Sequence, residues 1–181
     1  MQAQQVLELI RSRRSVRKFS HRPVDDALVA QVLEAGRWAP SGLNNQPWRF
    51  LVVRDPGLKA RIAELTRYRR VVEEAPVIIP VFIHRPSMYH EVKDHQSMGA
   101  CLQNMLLMAH ALGLGAVWLG EILKNADQVR RVVGLGEDLE LMAVVALGWP
   151  AGPAGSGSRK PLSELMAGGQ APPGPEGGDT A

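Results

Sequence analysis

The chain has 181 residues, 45% of them apolar and 22% charged, with a formal net charge of +3. This length and apolar share fit one globular domain with a real core, and no run approaches eighteen consecutive apolar residues, so no membrane-spanning helix is expected. The positive charge is local: residues 1–22 hold six Lys/Arg against the single acid Glu8, which describes a cationic site and not the basic face of a nucleic-acid binder.

In chain order, Val6, Leu9 and Ile10 form a helical stripe ahead of an arginine cluster. The start, MQAQQVLELIRSRR, is amphipathic and has no long apolar stretch, so it is not expected to be a secretory signal; a cytoplasmic location is the default. RPVDDALVAQVLEAGRWAP reads as a second helix, capped at Asp25 or Asp26, facing inward with Leu28, Val29, Val32 and Leu33, and stopped by Pro40. Arg49–Val53 reads as a buried strand. Leu58, Ile62 and Leu65 predict a third helix from Pro56 to about Arg70. Pro76–Ile83 is a further apolar strand, in which Pro80 argues for an edge position or a bulge.

Asp94 is expected to start the longest helix, reaching about Leu112 with no Asp, Glu, Lys or Arg from Gln96 onward. A helix apolar nearly all round is buried on most sides, and in so short a chain a subunit interface is the economical explanation. Within it the only cysteine, Cys101, reads as a buried, inert thiol. GAVWLG reads as a short strand, NADQVRRVVG as a helix ended by Gly134, and ELMAVVALGWP as a long strand. Helices and strands intermix with too few βαβ units for a doubly wound sheet, which gives an α+β class with a central sheet flanked by helices. Residues 151–181 contain eight Gly and five Pro; one segment, SRKPLSELM, looks anchored, and the last dozen residues read as a disordered tail.

Two segments carry chemistry. RSRRSVRKF, Arg11–Phe19, places five cations within eight residues, with Ser15 among them. Guanidinium forks match phosphate oxygens. If the segment is extended, Arg13, Ser15 and Arg17 point to one side; if the first helix continues, Arg13 and Arg17 lie one turn apart. A solvated helix end is the plain alternative. APSGLNNQPWRF, Ala39–Phe50, is a turn between two prolines whose Ser41, Asn44, Gln46 and Trp48 supply the hydroxyl, amides and aromatic face that read a heteroaromatic edge, although a Trp leading into a strand is more often core than stacking partner. GLGLGAVWLG follows a helix and opens a strand, the reverse of a dinucleotide fingerprint. The five histidines show no metal-ligand spacing.

Together these segments resemble the nitroreductase family of FMN-dependent oxidoreductases, through RRSVRKF from Arg13 and APSGLNNQPW from Ala39. The likeness continues through MGACLQNMLLMAHALGLGAVWLGEI, ALGWP and SRKPLSEL, and so runs from about Val6 to Leu165. It implies a nitroreductase-like α+β fold with a central mixed sheet over 1–165, followed by a tail over 166–181. It also implies an intertwined homodimer with FMN at the interface. By position, Arg13 would hold the phosphate with Arg159, Ser15 and Arg14 would line the ribityl chain and phosphate, and Arg17 would reach the pyrimidine edge. Pro40, Ser41 and Asn44 would come from the partner subunit; Gln46 would join them or brace the turn. Trp118, Leu119 and Gly120 match the stretch whose backbone N–H faces N5. The implied activity is ping-pong hydride transfer from NAD(P)H to a nitroaromatic, quinone or similar acceptor, with no obligatory acid–base residue. Two positions depart from larger members: Gly157 stands where many carry a Lys, with Arg14 as the compensating cation, and no Asn lies near Tyr68. The segment 84–96 is a candidate lid. Other flavin reactions (reductive dehalogenation, flavin fragmentation), a flavin-binding module without turnover, and a basic adaptor for acidic partners stay open as alternatives.

Overall fold

The computed structural model describes residues 2–153 and 155–169. Its helices are α1 (Ala3–Ser12), α2 (Asp26–Arg37), α3 (Pro56–Ala63), α4 (Arg69–Glu74), α5 (Glu91–Ala111) and α6 (Ala126–Val132). Its strands are β1 (Trp48–Phe50), β2 (Val77–His84), β3 (Gly115–Leu119) and β4 (Leu139–Gly148). The sheet order is β1-β2-β4-β3, and all three strand pairings are antiparallel. The mixed character expected of the sheet is confined, among the described residues, to one isolated parallel bridge between Ser15 and Ala116.

Strand alternation separates two apolar layers. Val77, Ile79, Val81 and Ile83 face a core with Val32, Met98, Cys101, Leu102 and Met105 of α2 and α5. Ile78, Phe82, Val144 and Ala146 face the other, with Ile62, Val72 and Val129 of α3, α4 and α6. Helices therefore cover both faces, and β2 is buried along its apolar run Val77–Ile83. Each of its large side chains contributes about 2 kcal/mol of burial.

Pro80 sits on this inner strand, not at an edge, paired with Val144. Its carbonyl accepts from Leu51 N at 3.1 Å, so its ring nitrogen faces the side where β1 has already lost regular pairing. The missing N–H costs little there, and the expected bulge follows at once, between Val81 and Phe82. The single helix expected from Pro56 to Arg70 is broken at Glu64–Tyr68, because Thr66 and Arg67 turn aside to bond Glu121. α5 begins three residues before Asp94, which is not its cap. Asp94 reaches back instead, its Oδ2 accepting from the N–H groups of Tyr89 (2.9 Å) and His90 (2.8 Å).

Within one chain α5 is buried on one face. Met98, Cys101, Leu102, Met105 and Ala109 pack inward, whereas Val92, Gln96 and Gln103 are exposed. Val6 and Ile10 of α1 are exposed as well. Cys101 is fully buried, and desolvation pushes its thiol up to about 12. The segment expected to be anchored, SRKPLSELM, forms a 3-10 turn at Leu162–Leu165, and all of its residues are exposed on their own chain. Of the expected tail, 170–181 lies outside the described residues. No helix among the described residues is long and apolar enough to cross a membrane.

Candidate functional site

α1 ends where Arg13 leaves helical geometry, at φ −58° and ψ 128°. The chain then runs extended along the sheet edge. Val16 N donates to Ala116 O at 3.0 Å and Ser20 N to Trp149 O at 2.9 Å. Of the two conformations open to the arginine cluster, the extended one occurs. Gly115 permits it: a Cβ there would lie 2.7 Å from Val16 Cβ, so only a residue without a side chain admits the segment against β3.

Three guanidiniums meet beyond this point. Arg13 and Arg14 are half-buried, and Arg159 arrives from the far end of the sequence. Burial first, then the charges of Arg159 and Arg14, pulls the Arg13 pKa below its ordinary value. Arg14 Nε lies 3.3 Å, and Arg159 Nη1 3.8 Å, from where a Cβ on Gly157 would sit. Arg14 therefore covers the position at which a lysine is missing. Its Nη1 donates to the main-chain oxygens of Arg11 and Arg13, and Arg159 Nη1 donates to Ser158 O at 2.8 Å. Among the described residues, none of Arg13, Arg14, Arg17 and Arg159 forms an ion pair with a carboxylate. Like charges crowded together without an acid repel, and a phosphate relieves that repulsion.

His110 belongs to this cluster and was not among the residues predicted for it. Its Nε2 lies 2.8 Å from Ser12 Oγ. Burial first, then Arg13 and Arg14, holds its pKa below the ordinary value. The available signal was its place as the one residue with a basic side chain between Gln96 and Leu112.

Ser15 and Arg17 are exposed beside the cluster, and Ser15 bridges Ala116, two residues before Trp118. Trp118 is half-exposed, Leu119 is buried, and Gly120 lies at the surface with Trp118 Nε1 3.8 Å from where its Cβ would be. Glu121 fixes this turn. It accepts from Thr66 Oγ1 (2.6 Å) and Arg67 N (3.2 Å) and pairs with Lys124 at 2.5 Å. The Lys124 bond first, then the Thr66 bond, holds its carboxyl at about 2.

The second motif lies elsewhere. Ser41 Oγ accepts from Gln46 N at 3.1 Å, and Gln46 Nε2 donates to Asn44 O at 3.1 Å, so Gln46 braces the turn. Leu43, Asn44 and Gln46 all have positive φ; Pro40, Leu43, Asn44 and Gln46 are exposed and Ser41 is half-buried. Asn45 fastens the loop to the start of α5, donating to Ser87 O at 2.9 Å and Asp94 Oδ1 at 2.7 Å. Burial pushes the Asp94 carboxyl up, but bonds from His90 N, Asn45 Nδ2 and Tyr89 N outweigh it, and its pKa lies below the ordinary value. The candidate lid, 84–96, is thus tied to this loop, with the Tyr89 ring against Gly42.

The structure therefore gathers Arg13, Arg14 and Arg159 at one end of α5 and places Pro40–Gln46 at the other. From Asp94 to His110 the helix rises roughly 24 Å at about 1.5 Å per residue. Two clefts of the chain, about 490 Å³ beside Glu91, Val92, His95 and Gln96 of the candidate lid and about 330 Å³ beside Arg49, His84 and Asp138, include none of the residues predicted to bind the cofactor.

An antiparallel sheet covered by helices on both faces, with an arginine cluster at its edge that pairs with no described carboxylate, defines an α+β protein. The sequence pattern of the Nitroreductase family matches residues 10–69 and 65–149, and the chain belongs to that family. It is 37% identical over 150 residues to a Methanothermobacter thermautotrophicus protein provisionally named NADH dehydrogenase/NAD(P)H nitroreductase, covering 81% of this chain and 78% of that one. It is 32% identical over 189 residues to a Thermus thermophilus NADH dehydrogenase, covering 85% and 91%. A Desulfovibrio desulfuricans structure, provisionally named a nitroreductase and crystallised with FMN, superposes with a TM-score of 0.89 at 52% identity, covering 92% of this chain and 98% of that one.

Proposed function

We propose that this protein is a homodimeric, FMN-dependent oxidoreductase that takes a hydride from NAD(P)H and passes the electrons, ping-pong, to a nitroaromatic, quinone or similar electron-poor acceptor. The reading places it in the cytosol, beside the NAD(P)H pool. The observation that carries it is the convergence of Arg13, Arg14 and Arg159, unopposed by any described carboxylate, within a family whose relatives carry flavin and nicotinamide names.

Those three cations would hold the FMN phosphate, with Ser15 along the ribityl chain. When bound, FMN supplies the hydride acceptance and donation that no side chain provides. Arg17, free of a described ion pair, would face the pyrimidine edge and stabilise negative charge there. The backbone at Leu119–Gly120, set by Glu121, would orient the ring without a reacting side chain. Pro40, Ser41 and Asn44 sit too far along α5 to reach the same nucleotide within one chain. A two-fold axis near the middle of α5 would run two copies antiparallel and bring the partner's 40–46 loop to the arginine cluster. The exposed Val6 and Ile10 of α1 and Val92 of α5 are apolar surface that such a contact would cover.

The test is anaerobic. Pure protein should be yellow, bleach with NADH or NADPH, and recover its colour with a nitroaromatic or a quinone. R13A/R159A should weaken FMN binding by about 100-fold or more, from the loss of two charge-assisted contacts. A colourless dimer without affinity for FMN overturns the proposal.

A further inference from the structure

We propose that Asn45 and Asp94 form a positioning pair that holds the 41–46 loop in the conformation it presents to flavin. This rests on the reading above that the loop contacts the ring.

The loop does not prefer its shape. Leu43 (φ 53°), Asn44 (φ 55°) and Gln46 (φ 45°) occupy the left-handed region without being glycine. The glycine that is present, Gly42, serves close approach instead, since a Cβ there would lie 2.2 Å from the Tyr89 ring. Such a backbone persists only where its surroundings over-determine it, and it concentrates at functional sites. Bonds within the loop, Ser41 Oγ with Gln46 N and Gln46 Nε2 with Asn44 O, shape it but do not place it.

Placement comes from Asn45. Its two N–H groups go to Ser87 O and Asp94 Oδ1. Asp94 is fully buried, has no ion-pair partner among the described residues, and uses its other oxygen on Tyr89 N and His90 N. One carboxylate thus joins the loop, the turn before α5 and α5 itself through charge-assisted bonds in a low-dielectric setting. The amide orientation is fixed: a flip would set Oδ1 against two acceptors. Yet Oδ1 as it stands is buried without a partner among the described residues. Stability alone is served better by an apolar side chain of similar shape, which strands no acceptor. Both polar residues make sense as a device that fixes direction.

D94N tests this. The new amide cannot accept from Asn45 and also from both backbone N–H groups, so the loop loses either its bond to residue 94 or, if the Asn45 amide flips, its bond to Ser87 O, while packing is kept. FMN-loaded D94N should remain dimeric and yellow. Its flavin circular dichroism should change, and hydride transfer at saturating NADH should slow by about tenfold or more, as a misplaced contact predicts. FMN affinity should change less than that rate, because the arginine cluster is untouched. Wild-type dichroism and rate in folded D94N would overturn the pairing, whatever happens to Tm. Should D94N not fold, N45A gives the same readout, since Asp94 then keeps its backbone donors. Wild-type protein that takes up no FMN overturns the flavin reading and this inference together; wild-type uptake with an N45A enzyme indistinguishable in spectrum and rate overturns the inference alone.

Discussion

At the scale of single residues, His110 reports the field of the cationic cluster. Its folded pKa lies below the ordinary 6.5, through burial and the charges of Arg13 and Arg14, so the folded chain binds that proton less readily than the unfolded one. The stabilisation is complete above pH 6.5 and is lost as pH falls below it. FMN-free protein should therefore melt at progressively lower temperature between about pH 7.5 and 5.5. Saturating inorganic phosphate, by neutralising Arg13 and Arg14, should flatten that profile in part, since burial is the larger cause, and H110Q should flatten it without phosphate. Thermal melts across pH with and without phosphate check this; an H110Q profile identical to wild type would count against it. The cluster was half legible. RRS and SRK suggest phosphate donors through their chemistry alone, but nothing in the local pattern joins Ser12 and His110, which meet only because α1 packs beside α5.

At the scale of elements, the approach of the 13–17 segment to β3 depends on Gly115. In G115A the new Cβ would meet Val16 Cβ and both its methyls at 2.7–2.9 Å. Val16 is β-branched and stiff, so the backbone must yield. The substitution should cost about 1–3 kcal/mol of stability by overpacking. It should also weaken FMN binding by more than the R13A change alone would suggest, because the whole arginine segment moves. Denaturant titration and flavin fluorescence measure both effects; unchanged affinity would place the segment's contribution elsewhere. Elements with strong periodicity, α2 and the apolar β2 and β4, were legible because burial on a face imposes its period on the sequence. The break between α3 and α4 was not, because it follows from Glu121, more than fifty residues away. Nor was the start of α5, since Asp94 looks like a cap yet bonds backward.

At the scale of the whole molecule, the two halves of the proposed site lie at opposite ends of α5, so one subunit carries two half-sites. A mixed dimer of an R13E/R159E subunit with a Ser41→Trp subunit should then have one doubly damaged site and one intact site. It should bind about one FMN per dimer, whereas each parent homodimer binds close to none. Absorbance per mixed dimer after tag-based separation reads this directly, and a mixed dimer as empty as its parents would show that each site is built within one chain. By itself the sequence determined the family, the α+β class, the apolar strands and the residue types that suit a phosphate and a flat ring. These are written in composition, period and short motifs, which act locally. Only the tertiary structure decided that the arginine segment is extended, that β2 with Pro80 is an inner strand, that His110 joins the arginine cluster and that Asn45 is locked to Asp94. Those outcomes depend on long-range packing and buried hydrogen bonds between residues far apart in the chain, and no local pattern encodes which distant partner will satisfy a given donor or charge.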